Sequence, residues 1–220
     1  MEKKRSITTQ LKQLEKFAVE KGAYRAKVFD ARLVVVDERV RMKCQIPLCP
    51  HYGRSLTCPP NVPTVEEFKK ALDRYTKALL IQTVSPIMAN MNDCSREEAK
   101  EFFEKHGKAS SKEGQQQEVV EDFGNMRSAA NKLHKLTNEV ELQAMSLGFH
   151  YALGLIGGEC MLCSECVGVC SSQACRRPYE ARPSMEGVGI DVVQTCIKGG
   201  LPFEIPPTKE IVRTSLVLVD

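Results

Sequence analysis

Ala78-Leu79-Leu80-Ile81-Gln82-Thr83-Val84 reads as a buried strand. Its apolar residues run on without alternation, as they do in a strand covered on both faces. Outward from it, Leu33-Val34-Val35-Val36 is a second continuous run, inside a stretch from Tyr24 to Met42 rich in β-branched residues. Val40 and Met42 are expected to continue it as a hairpin across Asp37-Glu38. His150 to Ile156 and the closing stretch Glu210 to Val219 read as further strands.

Helical patterns lie between these runs. Ile7, Leu11, Leu14, Phe17 and Ala18 recur at helical spacing over 7–21, and Gly22 is a natural stop. Thr64-Val65-Glu66-Glu67 is a capping box that opens a helix to about Tyr75, and Ser95-Arg96-Glu97-Glu98 opens another to about His106. Residues 107–117 read as an exposed linker. A long helix over 118–147 carries an apolar stripe of Val119, Met126, Ala130, Leu133, Leu136, Val140 and Met145, with Gly148 as its cap. A short helix is expected over Gly189 to Lys198. The pattern predicts an α/β or α+β fold, with a central, mostly buried sheet flanked by helices. Residues 1–220 are read as a single domain carrying two cysteine-rich loops, 44–60 and 157–178; strand order stays open.

At 220 residues the chain can bury a real core without disulfides. Its net charge of +3, absence of Trp and few aromatics argue against a nucleic-acid partner. No run of apolar residues is long enough for a membrane span. No apolar h-region follows the charged start Met1-Glu2-Lys3-Lys4-Arg5, so a cytoplasmic location is expected.

The ten cysteines dominate the functional reading: 44, 49, 58, 94, 160, 163, 166, 170, 175 and 196. Five of them fall between Cys160 and Cys175. That density, in a chain with no export signal, points to metal ligands rather than disulfides. Cys160, Cys163 and Cys166 are each separated by two residues, and Cys170 follows after three more. This is the bacterial ferredoxin spacing, except that Ser171 stands where proline is expected. A loop wrapping a cubane meets one iron corner about every third residue, whereas structural zinc usually takes two separated Cys-x2-Cys knuckles. The fourth ligand is open between Cys170 and Cys175.

Cys44, Cys49 and Cys58 form the first segment, stiffened by Pro47, Pro50, Pro59 and Pro60. Three cysteines leave one coordination position to be filled. Cys94, Cys170, Cys175, Cys196 or His51 are the candidates, or the iron stays open to a substrate or small sulfur species. Two sites are favoured over one shared site, since eight clustered cysteines exceed the usual four ligands.

Together these residues resemble a cysteine-rich family described as predicted metal-binding proteins of unknown function, found mainly in anaerobic bacteria and archaea. The matching features are Cys44, Cys49, Tyr52-Gly53, Cys58-Pro59-Pro60, Gly157-Gly158, Cys160, Cys163, Cys166 and Cys175-Arg176-x-Pro178. Arg182-Pro183-Ser184-Met185-Glu186 and Gly189-Ile190-Asp191-Val192 continue the likeness. The resemblance implies cysteine sites suited to iron–sulfur clusters and no settled reaction. It makes Cys175 part of the pattern and Cys170 and Cys196 additions, favouring Cys160, Cys163, Cys166 and Cys175 as one ligand set.

The function expected from this is an iron–sulfur protein with one or two [4Fe–4S] clusters at Cys44, Cys49, Cys58, Cys160, Cys163, Cys166 and Cys175, with Cys170 and Cys196 as further candidates. It would exchange electrons with a redox partner protein. One alternative is an enzyme using an open iron at Cys44/Cys49/Cys58, beside Tyr52, His51 or Arg54. Another is an interaction module stabilised by Zn2+. Arg176, Arg177 and Arg182 either offset cluster charge and dock an acidic partner or form a solvated loop. Met185 and Glu186 read as packing and a helix start, and His106, His134 and His150 as surface or core. Gly157-Gly158 lacks the signature of a phosphate loop.

Overall fold

The computed structural model of the chain describes residues 6–86, 116–168, 171–205, 207 and 210–220. The helix expected at 95–106, most of the 107–117 linker, Cys94 and Cys170 lie outside them. Four strands, β1 (Arg25–Asp30), β2 (Lys77–Pro86), β3 (Leu153–Ile156) and β4 (Glu210–Val219), form one antiparallel sheet in the order β1-β2-β4-β3. β2 and β4 pair along their full length, from Lys77 opposite Val219 to Pro86 opposite Glu210. The architecture is mixed α and β, as the alternation of patterns predicts.

The unbroken apolar run of β2 has its explanation in the two faces of this sheet. Successive side chains point to opposite sides. Ala78 and Leu80 join Leu155, Leu216 and Leu218 on one side, under Phe68, Leu72, Met185, Ile190 and Cys196. Leu79 and Ile81 join Val217 and Val219 on the other, under Leu11, Leu14, Ala18, Leu136, Val140 and Ala144. The second face is covered by α1 (Ile7–Glu20) and by α4 (Gln116–Ser146). The first is covered by α3 (Val65–Leu72), by α5 (Val192–Lys198) and by irregular segments. The Thr64–Glu67 capping box forms in full. Among the described residues no helix is long and apolar enough to cross a membrane.

The run Leu33–Val36 does not form a sheet strand, and no hairpin crosses Asp37-Glu38. The strand lies upstream, at Arg25–Asp30. Asp30 and Asp37 act as caps: each accepts a hydrogen bond from the backbone N–H two residues on. Asp30 starts a 3-10 turn (Ala31–Leu33), and Asp37 starts α2 (Glu38–Gln45). The apolar run between them packs against segment 189–191, through a single bridge between Val36 and Ile190 and a hydrogen bond from Asp191 N–H to Val35 C=O. The strand expected from His150 begins only at Leu153. A turn closed by Ala152 N–H to Phe149 C=O occupies the residues before it.

Candidate metal centre

The end of β3 places the site. The N–H of Ile156 donates to the Pro183 carbonyl and its carbonyl accepts from Met185 N–H, so Ser184 extends the sheet edge beside Ile156. Ser184 N–H in turn donates to the Thr57 carbonyl at 3.0 Å. This chain of bonds ties the 44–60 loop to the point where β3 hands over to the 160–175 segment. At that handover Gly157 N–H donates to Thr214 C=O at 2.7 Å. A Cβ on Gly157 would stand 2.8 Å from the same oxygen, so only glycine fits without displacement.

The expected loop 44–60 begins later than the sequence suggests: Cys44 sits in the last turn of α2, and the residues after Gln45 form a series of turns. Cys49 N–H reaches Cys44 C=O, Tyr52 N–H reaches Cys49 C=O, Ser55 N–H reaches His51 C=O and Cys58 N–H reaches Ser55 C=O. Gly53, with a positive φ of 68°, closes the loop by donating to Pro59 C=O. Arg41 fastens α2 beneath it by bonds to the carbonyls of Pro63 and Gly187.

The cysteines sort onto two cavities. Cys160, Cys163, Cys166 and Cys175 line one, together with Ser55, Thr57, Arg176 and Arg177. Cys44, Cys49 and Cys58 line the other, with His51, Tyr52, Gly158, Glu159, Ser184 and Glu186, around a volume of about 130 Å³. Thr57 and Cys58 are adjacent in sequence but belong to different walls, so the cavities abut. All eight described cysteines are free thiols. Among the described residues no three His, Cys, Asp or Glu side chains are gathered tightly enough to hold a single metal ion.

Both cavities hold soft donors in a partly dehydrated setting. Burial pushes the Cys58 thiol up to about 12 and raises Cys44 and Cys160 as well. These sulfurs become thiolates when a cation shares the cavity, which is the usual coupling of metal binding to proton release. Thiolate ligands select zinc, copper(I) or iron–sulfur clusters, so the donor set fits the expected groups. Arg177 N–H donates to Cys175 Sγ at 3.4 Å, the kind of backbone bond that orients a ligand sulfur. Glu186 opens a 3-10 turn (Glu186–Val188), and its carboxylate accepts from Gly158 N–H and Ser184 Oγ. Burial raises its pKa. His51 Nε2 lies 3.8 Å from Glu159 Oε1.

Other expected residues lie elsewhere. Cys196 is fully buried in the core between Gln82 and Thr214 and lines neither cavity. Arg54, a candidate for the three-cysteine cavity, is not on its wall. Arg182 lines neither cavity and is not a free cation: it makes a two-pronged ion pair with Glu141, at 2.8 and 3.1 Å. Met185 is core packing.

Two features escape a reading of the sequence alone. One is Glu186, whose carboxylate belongs to the three-cysteine cavity as well as to a helix start. The other is a polar stripe on α4. Arg127 donates to Met161 C=O, Asn138 donates to Glu180 C=O, and Glu141 holds Arg182. Asn131 and His134 complete the stripe, at alternating spacings of four and three, which is one face of a helix. The spacing is visible in the sequence, but the partners Met161, Glu180 and Arg182 are brought to it only by the fold.

A family model described as a predicted metal-binding protein (DUF2284) matches residues 27–219. The chain belongs to that family of predicted metal-binding proteins. No curated protein and no solved structure shows a significant match.

Proposed function

We propose that this chain is an iron–sulfur protein, with a [4Fe–4S] cluster at Cys160, Cys163, Cys166 and Cys175 and a second at Cys44, Cys49 and Cys58. It passes electrons to or from a partner protein in the cytoplasm. The observation that carries this reading is the sorting of seven cysteines onto two abutting cavities. Three cysteines each two residues apart, Cys160, Cys163 and Cys166, also suit the several iron corners of a cluster better than one zinc ion, which usually takes two separated Cys-x2-Cys knuckles. Arg176 and Arg177, on the wall of the four-cysteine cavity, are placed to offset the charge of a reduced cluster.

The deciding experiment is iron, acid-labile sulfide and zinc per chain, on protein purified without oxygen. Two cubanes give about eight irons with matching sulfide. About four irons leave one loop without a cluster. Zinc without sulfide ends the electron-transfer reading and leaves the zinc-stabilised module.

One observation favours a second reading, a cluster-dependent enzyme. The three-cysteine cavity is lined by His51, Tyr52, Glu159 and Glu186, groups able to bind a polar substrate beside an open iron. Reductive or sulfur-transfer chemistry suits such a site. A change in the visible spectrum of the reduced protein on adding hydrosulfide, abolished by Cys49→Ser, supports this reading over a pure carrier.

A further inference from the structure

The three-cysteine cavity lacks a fourth thiol among the described residues, and its wall offers other donors: His51, Tyr52, Glu159 and Glu186. They are not equivalent. Tyr52 Oη accepts a hydrogen bond from Gln45. His51 and Glu159 face each other at 3.8 Å, with side chains 40% and 32% exposed. Glu186 is different. Gly158 N–H and Ser184 Oγ both bond to its Oε2, at 2.9 and 3.1 Å. Oε1 takes part in neither bond. The carboxylate is therefore held at one oxygen from two sides. Both donors are anchored by the sheet edge, Ser184 beside Ile156 and Gly158 one residue after the Gly157–Thr214 bond. A side chain oriented in this way has given up its rotamer freedom before a ligand arrives.

We infer that Glu186 is the non-cysteine ligand of the three-cysteine centre, giving a cluster with three irons on thiolate and one on a carboxylate oxygen. The inference rests on the iron–sulfur reading above. It makes the two centres chemically unequal. The four-cysteine centre is closed by sulfur, whereas the Glu186 corner carries a harder ligand on a soft cluster and releases its iron more readily. Oxidation makes the difference visible. A cubane in its doubly positive state loses one electron to ferricyanide; the triply positive cube then sheds one ferrous ion and leaves a singly positive three-iron cluster.

The test begins with iron and sulfide on the anaerobic wild-type protein. Absence of sulfide there removes the underlying reading itself. With sulfide present, the protein is titrated with ferricyanide and followed by electron paramagnetic resonance. The expected result is a three-iron signal for about one cluster per chain, with about one iron released, consistent with one open and one closed centre. Retention of every iron under ferricyanide overturns the assignment while the iron–sulfur reading stands. The vacated corner is then refilled with iron-57 and measured by Mössbauer spectroscopy on unmutated protein. A larger isomer shift than that of the thiolate-bound irons is expected; a thiolate-like shift overturns the proposal. Glu186→Gln should be purified already short of that iron, while His51→Ala and Glu159→Gln retain it. Loss of the iron from either of those two instead, with Glu186→Gln unaffected, also overturns it.

Discussion

Glu159 and Cys160 are joined by one peptide bond yet face different cavities, Glu159 the three-cysteine cavity and Cys160 the four-cysteine one. Consecutive Cα atoms stand only about 3.8 Å apart. Two clusters in these cavities would be close enough for electrons to pass between them and for their charges to interact. Cys163→Ser should therefore remove about half of the iron, the share expected of one of two cubanes. The remaining centre should also become easier to reduce, because a negative neighbour has gone. A redox titration followed by electron paramagnetic resonance checks both. A remaining centre that titrates at the potential of the wild-type second step contradicts the contact.

Gly157 supports both cavities from below, through its bond to Thr214. Its replacement by alanine drives a methyl group against backbone, which cannot swing aside as a side chain can. Gly157→Ala is expected to cost about 1–3 kcal/mol. It should also lower the iron content of both centres, since Gly158 and Cys160 follow directly. A urea midpoint and a metal assay on the same preparation check this. Unchanged stability would mean that β3 and β4 can part at that point without loss.

Arg182 and Glu141 are only 14% and 13% exposed, and Glu141 also accepts from Gly154 N–H. Removing one partner strands the other charge in a poorly solvated place. Arg182→Met should cost roughly 3 kcal/mol by denaturant unfolding. By contrast Lys16→Ala breaks a pair whose side chains are 78% and 58% exposed, and should change stability very little. Equal effects from the two substitutions would mean that water reaches the Arg182 pair in solution.

The elements that were legible in the sequence are those whose evidence is local. Ala78–Val84 announces a strand because both faces are covered, and the Thr64–Glu67 box contains its own donor and acceptor. The spacing that brings Cys160, Cys163 and Cys166 to one cavity is local in the same sense. Leu33–Val36 misleads because an apolar run says that a segment is covered but not by what; here the cover is segment 189–191 rather than a neighbouring strand. Glu186 misleads for a related reason. Its position at the start of a turn is visible from three residues of sequence. Its position beside Cys44, Cys49 and Cys58 depends on the Ile156–Ser184 pairing and on the bond from Ser184 to Thr57, both formed between distant parts of the chain.

His134 gives a prediction that needs no metal. It sits in the polar stripe of α4, fully buried, with neither ring nitrogen hydrogen-bonded at good geometry. Burial lowers its pKa from 6.5 to about 4, the Glu180 backbone opposes the shift, and the Arg182 charge adds to it. The folded state therefore keeps the imidazole neutral where the unfolded chain takes up a proton. Between about pH 6.5 and pH 4 the unfolded state binds more protons, so stability falls as the pH falls. The full loss from this one group is about 3 kcal/mol, reached as the pH approaches the folded pKa. His134→Leu removes the titrating group. The expected outcome is a flatter dependence of unfolding free energy on pH in that window, measured on apoprotein so that cysteine–metal equilibria do not contribute. An unchanged slope in the variant would show that the folded and unfolded states protonate this imidazole alike, so that burial does not hold it neutral.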